Sequence, residues 1–183
     1  MYFCLQINNK VNIFVLELWD NEGAKCTFYT VRNDDFHTNE TDLFFDKYDA
    51  LPEYKEAGQE LLSFILHAIG NDHGALDEFF NRNENEVKGL PPQGKTTVAE
   101  ITFYYPKFPL RLYALKITDS IVVLFNGGIK DDEKNQTSSL HLNWRAACEF
   151  AKRINEALWN GSIIVDHKKR KLKNYDGSDE IIL

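Results

Sequence analysis

Five residues in the C-terminal half have the types and spacing to handle a phosphate: Arg111, Tyr113, Lys116, Lys130 and Lys134. Cleavage of RNA by its own 2′-hydroxyl needs a base, an acid for the leaving oxygen, and positive charge on the pentavalent phosphate. Arg111 and Lys130 would supply that charge, and Lys134 a further RNA contact. Arg111 and Tyr113 are two apart in an extended stretch, so they share a face and the phenol stands beside the guanidinium. Lys116 falls on the opposite face and is a poor member of the set. The set holds no base; His141, beyond the next loop, is the candidate. The competing reading of Arg111 is a structural ion pair with a helix carboxylate, and both readings stand.

The segment that must position these groups is 110–130, LRLYALKITDSIVVLFNGGIK. Residues 110–117 read as a strand, with Arg111 and Lys116 its only charges. Thr118, Asp119 and Ser120 have turn chemistry. Residues 121–125 are apolar at every position, which predicts a strand buried on both faces in the middle of a sheet. The short connection makes the pair antiparallel. Asn126, Gly127 and Gly128 predict a sharp backbone turn, with Lys130 just beyond.

An arginine in the first strand, an apolar second strand, glycines and then a lysine form a pattern that resembles the core of the RelE/HigB-like toxin superfamily. Those proteins are ribosome-dependent endoribonucleases of bacterial toxin–antitoxin pairs. The matching positions are Arg111, residues 121–125, Gly127 with Gly128, and Lys130; helices at 41–82 and 143–158 take the family's flanking places. The resemblance covers about residues 41–158. It implies an endoribonuclease acting on mRNA, with Arg111 and Lys130 at its catalytic site and an antitoxin and the ribosome as partners; by spacing, Tyr113 joins the catalytic residues and Lys134 the RNA contacts.

Elsewhere the chain predicts an α+β fold: an antiparallel central sheet with helices packed against it, extended by an N-terminal β-meander. Residues 1–8, 11–19 and 24–31 read as the meander, with turns at Asn9-Lys10 and Asn21-Glu22-Gly23. Thr41 or Asp42 caps a helix through Tyr48. Residues 53–69 form a second helix, with Pro52 in its first turn and Gly70 at its end. Residues 74–82 predict a third, and His67 and His73 flank the break as surface residues. Residues 83–95 read as a loop. Residues 97–105 read as a strand pairing with 110–117. Residues 143–158 carry an apolar stripe at helical spacing, capped by Ser139 or Asn143. Residues 162–165 and 180–183 read as short strands, and the basic run 167–173 as a solvated tail, RNA, DNA or an acidic partner being its alternative ligands. One domain accounts for the length: the meander over 1–38, the core over 41–158 and a tail over 159–183.

Composition and charge bear on function. Residues 1–109 hold 9 Lys+Arg against 18 Asp+Glu, and residues 110–183 hold 12 against 10, within an overall net charge of −7. Phosphate-binding surfaces are usually basic, so the mean field opposes RNA. Three scattered cysteines, no signal peptide and no apolar run of membrane-spanning length place the expectation in the cytoplasm, with no membrane partner. No P-loop, dinucleotide-binding, hydrolase or zinc motif is present, so neither cofactor nor metal is expected; His37 beside Asp34 and Asp35 reads as a solvated loop. Two functions follow: a toxin-like endoribonuclease, or a non-catalytic relative of that fold that binds a protein partner through its acidic, aromatic half.

Overall fold

The computed structural model describes residues 12–130 and 138–183. The expected strand over 1–8, its turn at Asn9-Lys10, and Lys134 lie outside these. The architecture is α+β, as the strand and helix patterns predict. A mainly antiparallel seven-stranded sheet forms the centre. In chain order its strands are β1 (Phe14–Asp20), β2 (Thr27–Asn33), β3 (Asn83–Glu84), β4 (Val87–Leu90), then, after two strands outside the sheet, β7 (Leu110–Thr118), β8 (Ile121–Ile129) and β11 (Ile181–Ile182). They lie side by side as β11-β1-β2-β8-β7-β4-β3. β2 and β8 run parallel, and this pair joins the N-terminal hairpin to the main sheet.

β8 is the centre of the molecule, as its unbroken apolar run predicts. Ile121 to Phe125 are all 0% exposed. Ile121, Val123 and Phe125 face one core; Val122 and Leu124 face the other. The first core is closed by α3 (Ser139–Trp159), which buries Ala147, Phe150, Ala151, Ile154 and Ala157. Ser138, and neither Ser139 nor Asn143, is the cap: it accepts from the His141 N–H at 3.2 Å and starts the helix. The second core is closed by α1 (Glu40–Asp49) and α2 (Pro52–Ser63). Asn39, not Thr41 or Asp42, caps α1, accepting from the Asp42 N–H at 2.8 Å. Thr41 is instead buried, its hydroxyl donating to the Leu124 carbonyl at 3.2 Å and meeting the Thr30 hydroxyl at 2.7 Å. Buried hydroxyls need such partners, so the threonine went inward and left the cap to Asn39.

Several expectations are corrected. Helical geometry does not end at Gly70: α2 continues as a π-helix through Phe64–His73 and stops at Gly74, whose φ is 85°. The Gly70 carbonyl accepts from the Lys25 and Cys26 N–H groups at 2.8 and 3.0 Å, so the chain there is tied to the β1–β2 connection rather than capped. His73 is not a simple surface residue, since its ring packs 6.0 Å from Phe79 and from Phe103. Only Asp77–Phe80 of the expected third helix is helical, as a 3₁₀ turn.

The strand expected over 97–105 is the larger correction. It folds back on 95–98 as a separate hairpin, β5 (Lys95–Val98) with β6 (Ile101–Tyr104). Ala99 and Glu100 turn the chain with φ of 47° and 69°. Phe103 is pinned against Phe64 and Phe79, at 5.7 and 5.0 Å, on the helical side, which keeps β6 out of the sheet. Its place beside β7 is taken by β4, from the segment that reads as a loop. Asn126, Gly127 and Gly128 make no turn either. They continue β8 past a bulge, with Gly127 opposite Leu112 and Gly128 opposite Arg111. A Cβ on Gly127 would overlap the Arg111 carbonyl, so the glycine permits a close approach, not a reversal.

The basic run is no tail. Residues 163–174 form a hairpin, β9 (Ile163–Asp166) with β10 (Lys171–Asn174), that covers the α3-side core. Leu172 is 1% exposed, and its N–H donates to the Tyr29 hydroxyl at 2.9 Å. Lys173 pairs with Asp166 at 3.4 Å, and Arg170 donates to the Gly23 carbonyl at 3.0 Å. Among the described residues no helix is long and apolar enough to cross a membrane.

Candidate functional site

Arg111 is the second residue of β7, directly opposite Gly128. Strand alternation turns Leu110, Leu112 and Ala114 into the α1–α2 core and leaves Arg111, Tyr113 and Leu115 on the α3 side. The guanidinium finds a carboxylate there: Nη1 donates to Glu84 Oε1 at 2.7 Å, with both side chains largely buried. The ion pair is real, but its acid comes from strand β3 and not from a helix. α3 holds that strand in place. Trp144 Nε1 donates to the Glu84 carbonyl at 3.1 Å, and the Cys148 thiol lies 3.8 Å from the same oxygen.

A second arginine lies beside it. The Arg82 carbonyl accepts from the Gly89 N–H at 2.9 Å, which extends the β3–β4 hairpin and sets Arg82 against Gly89. A reciprocal pair between Asn81 and the Gln93 backbone, at 2.9 and 2.8 Å, ties this segment to the loop after β4. With no side chain on Gly89, both arginine stems lie over it. Burial, followed by the neighbouring Arg111 charge, holds the Arg82 pKa below the usual guanidinium value; the group stays charged at any working pH.

Arg82 and Arg111 line a cleft of about 330 Å³. Lys107 and Lys130 line it too, and Leu90, Tyr104, Tyr105 and Phe108 give it apolar and aromatic walls. Lys130 is exposed, and its backbone N–H donates to the Pro109 carbonyl at 2.7 Å, which closes the far end of the β7–β8 ladder. None of the described residues that line the cleft is a carboxylate or a histidine.

The residues singled out by sequence thus separate. Arg111 and Lys130 share the cleft. Tyr113 shares the face of Arg111 but is only 2% exposed, packed into the α3-side core and not on the cleft wall. Burial pushes its phenol up to about 12, the Arg111 charge opposing and the Glu84 charge adding. His141 lies in the first turn of α3 and lines a different cavity with Glu86, Trp144 and Cys148. Lys116, excluded by parity, is on the other face and is bound by Asp77 at 2.5 Å and Asp119 at 2.7 Å. Sequence reasoning missed Arg82, Lys107 and Glu84. The available signal was Gly89 within VKGL, a glycine inside an otherwise strand-like quartet that marks a close approach by another group. No protein-family model, curated protein or solved structure matches this chain.

Proposed function

We propose that this protein is a non-catalytic relative of the toxin-like hairpin fold that docks a protein partner at the cationic cleft. The carrying observation is the make-up of the described lining: Arg82, Lys107, Arg111 and Lys130 with no carboxylate or histidine among them. Acid–base cleavage needs a group that changes protonation near the working pH. Tyr113, sealed in the core with a pKa of about 12, is not such a group, and His141 lines another cavity.

The cleft is instead suited to binding. Arginine and tyrosine are enriched at protein interfaces because each offers both contact area and a directed polar group. In the cleft wall the β5–β6 hairpin exposes Tyr104 at 51%. A net charge of −7 disfavours a long nucleic-acid footprint while leaving one local anion anchor intact.

Induced expression in a bacterial host tests the reading. Growth and ribosome-bound mRNA should stay intact. Growth arrest that Arg111→Ala relieves without unfolding the protein would restore the endoribonuclease. In the same host, a photo-crosslinker at Tyr104 should capture one defined protein, and the capture should be lost in the Lys107→Glu/Lys130→Glu double variant.

A further inference from the structure

The two cationic ends of β7 are balanced differently. Lys116 meets two carboxylates, Asp77 and Asp119. At the other end, among the described residues, two guanidiniums lie beside one carboxylate, Glu84, which bonds Arg111 and not Arg82. Among the described residues Arg82 has no ion pair and no side-chain hydrogen bond, and its Nε is sealed from solvent without a partner. A buried N–H left unmade is costly, and two like charges held over one glycine repel. Such an arrangement lacks an acceptor.

The charge count indicates what kind. Among the described residues four cations line the cleft, and the carboxylate bonded beside them is Glu84, held against Arg111. A single carboxylate would leave most of that charge unmatched; a dianion matches it better. Guanidinium forks present N–H pairs at the spacing of phosphate oxygens, and lysines add point charges. Aromatic walls lower the local dielectric and strengthen each contact. A volume of about 330 Å³ sits at the low end of ligand pockets, which run from about 300 to 1,000 Å³.

We infer that Arg82 and Arg111, with Lys107 and Lys130, form a subsite for a dianionic phosphate group. The inference rests on the binding reading of the cleft. Free phosphate and a phosphate monoester carried by the partner share this chemistry.

Titration of inorganic phosphate into the full chain, followed by the arginine Nε–Hε resonances in ¹⁵N NMR, is the test. Saturable shifts of Arg82 and Arg111 are expected, with no such response to acetate at equal ionic strength. Arg82→Met should weaken binding at least tenfold, and Lys168→Met, on the β9–β10 turn, should not. Gly89→Ala, which displaces Arg82 without removing it, serves if Arg82→Met fails to fold. No saturable shift, an equal response to acetate, or unchanged affinity in both cleft variants would overturn the subsite. Comparison of carriers separates this inference from the docking proposal. A phosphoserine peptide that binds more tightly than phosphate supports both. Equal affinities keep the subsite and remove the protein partner. Tighter binding of an RNA without terminal phosphates overturns the choice of a dianion.

Discussion

Arg82 and Arg111 meet over Gly89: a Cβ on that glycine would stand 2.5 Å from the Arg82 Cδ and 3.3 Å from the Arg111 Cδ. Gly89→Ala therefore forces the Arg82 stem aside and leaves the Arg111–Glu84 pair nearly in place. One charge-assisted hydrogen bond to a bound anion contributes about 1.5–3 kcal/mol. Its loss should weaken phosphate binding by roughly tenfold or more. Calorimetric titration of both proteins checks this, and equal affinities would mean that Arg82 does not reach the anion.

Glu84 and a bound anion compete for Arg111. Glu84→Gln keeps the shape of the side chain and removes its charge. Stability and affinity should then move in opposite directions. The pair is largely buried, with side-chain exposures of 16% and 26%, so its loss should cost about 1–2 kcal/mol after allowing for the solvent that reaches it. Anion affinity should rise several-fold, since one more cationic fork is free. Urea unfolding together with phosphate titration reads both. A variant that loses stability and gains no affinity would show Arg111 to be purely structural.

Gly127→Ala probes the bulge that sets Arg111. The added methyl would overlap the Arg111 carbonyl, which is backbone and has no room to yield within a paired strand. Asn126 and Asn143 are tied to the same point: Asn143 Nδ2 donates to the Gly127 carbonyl at 2.6 Å, and the Gly127 N–H donates to Asn126 Oδ1 at 2.8 Å. Destabilisation of about 3 kcal/mol is expected, at the upper end for overpacking. Gly128→Ala meets only the Leu140 region, at 3.0 Å and beyond, and should cost less. Thermal melts of the two variants rank them; the reverse order would contradict the close strand approach.

These three sites show what the sequence could and could not disclose. The unbroken run of β8 disclosed its central position, because only a strand covered on both faces tolerates apolar side chains at five successive positions. The stripe of α3 disclosed its inward face for the same reason. β4 was hidden. It has four residues, contains a glycine and runs into Pro91-Pro92, so its local chemistry is that of a loop. The alternation of 95–104 disclosed extended structure but not its partner, because the grip on Phe103 comes from Phe64 and Phe79, some 24 to 39 residues earlier. Arg111 was visible as an odd charge on an apolar strand. Arg82 was one more charge in a polar segment, and only the fold brings it over Gly89.

Buried and half-buried phenols give the fold a weakness at high pH. Tyr113 and Tyr105 are both raised from 10 to about 12, chiefly by burial, and Tyr29 is raised in the same direction. A folded pKa above the unfolded one means that the native state holds its proton more tightly. The associated stability is complete below pH 10 and drains as the pH climbs through about 12. Tyr113→Phe removes one such group from the core without changing its shape. Urea unfolding at pH 9, 10.5 and 11.5 should show the wild type losing more stability over that window than the variant, and the absorbance of ionised phenol should show one fewer late-titrating tyrosine. Parallel losses in the two proteins would mean that the Tyr113 hydroxyl reaches solvent, which would reopen its place on the cleft beside Arg111.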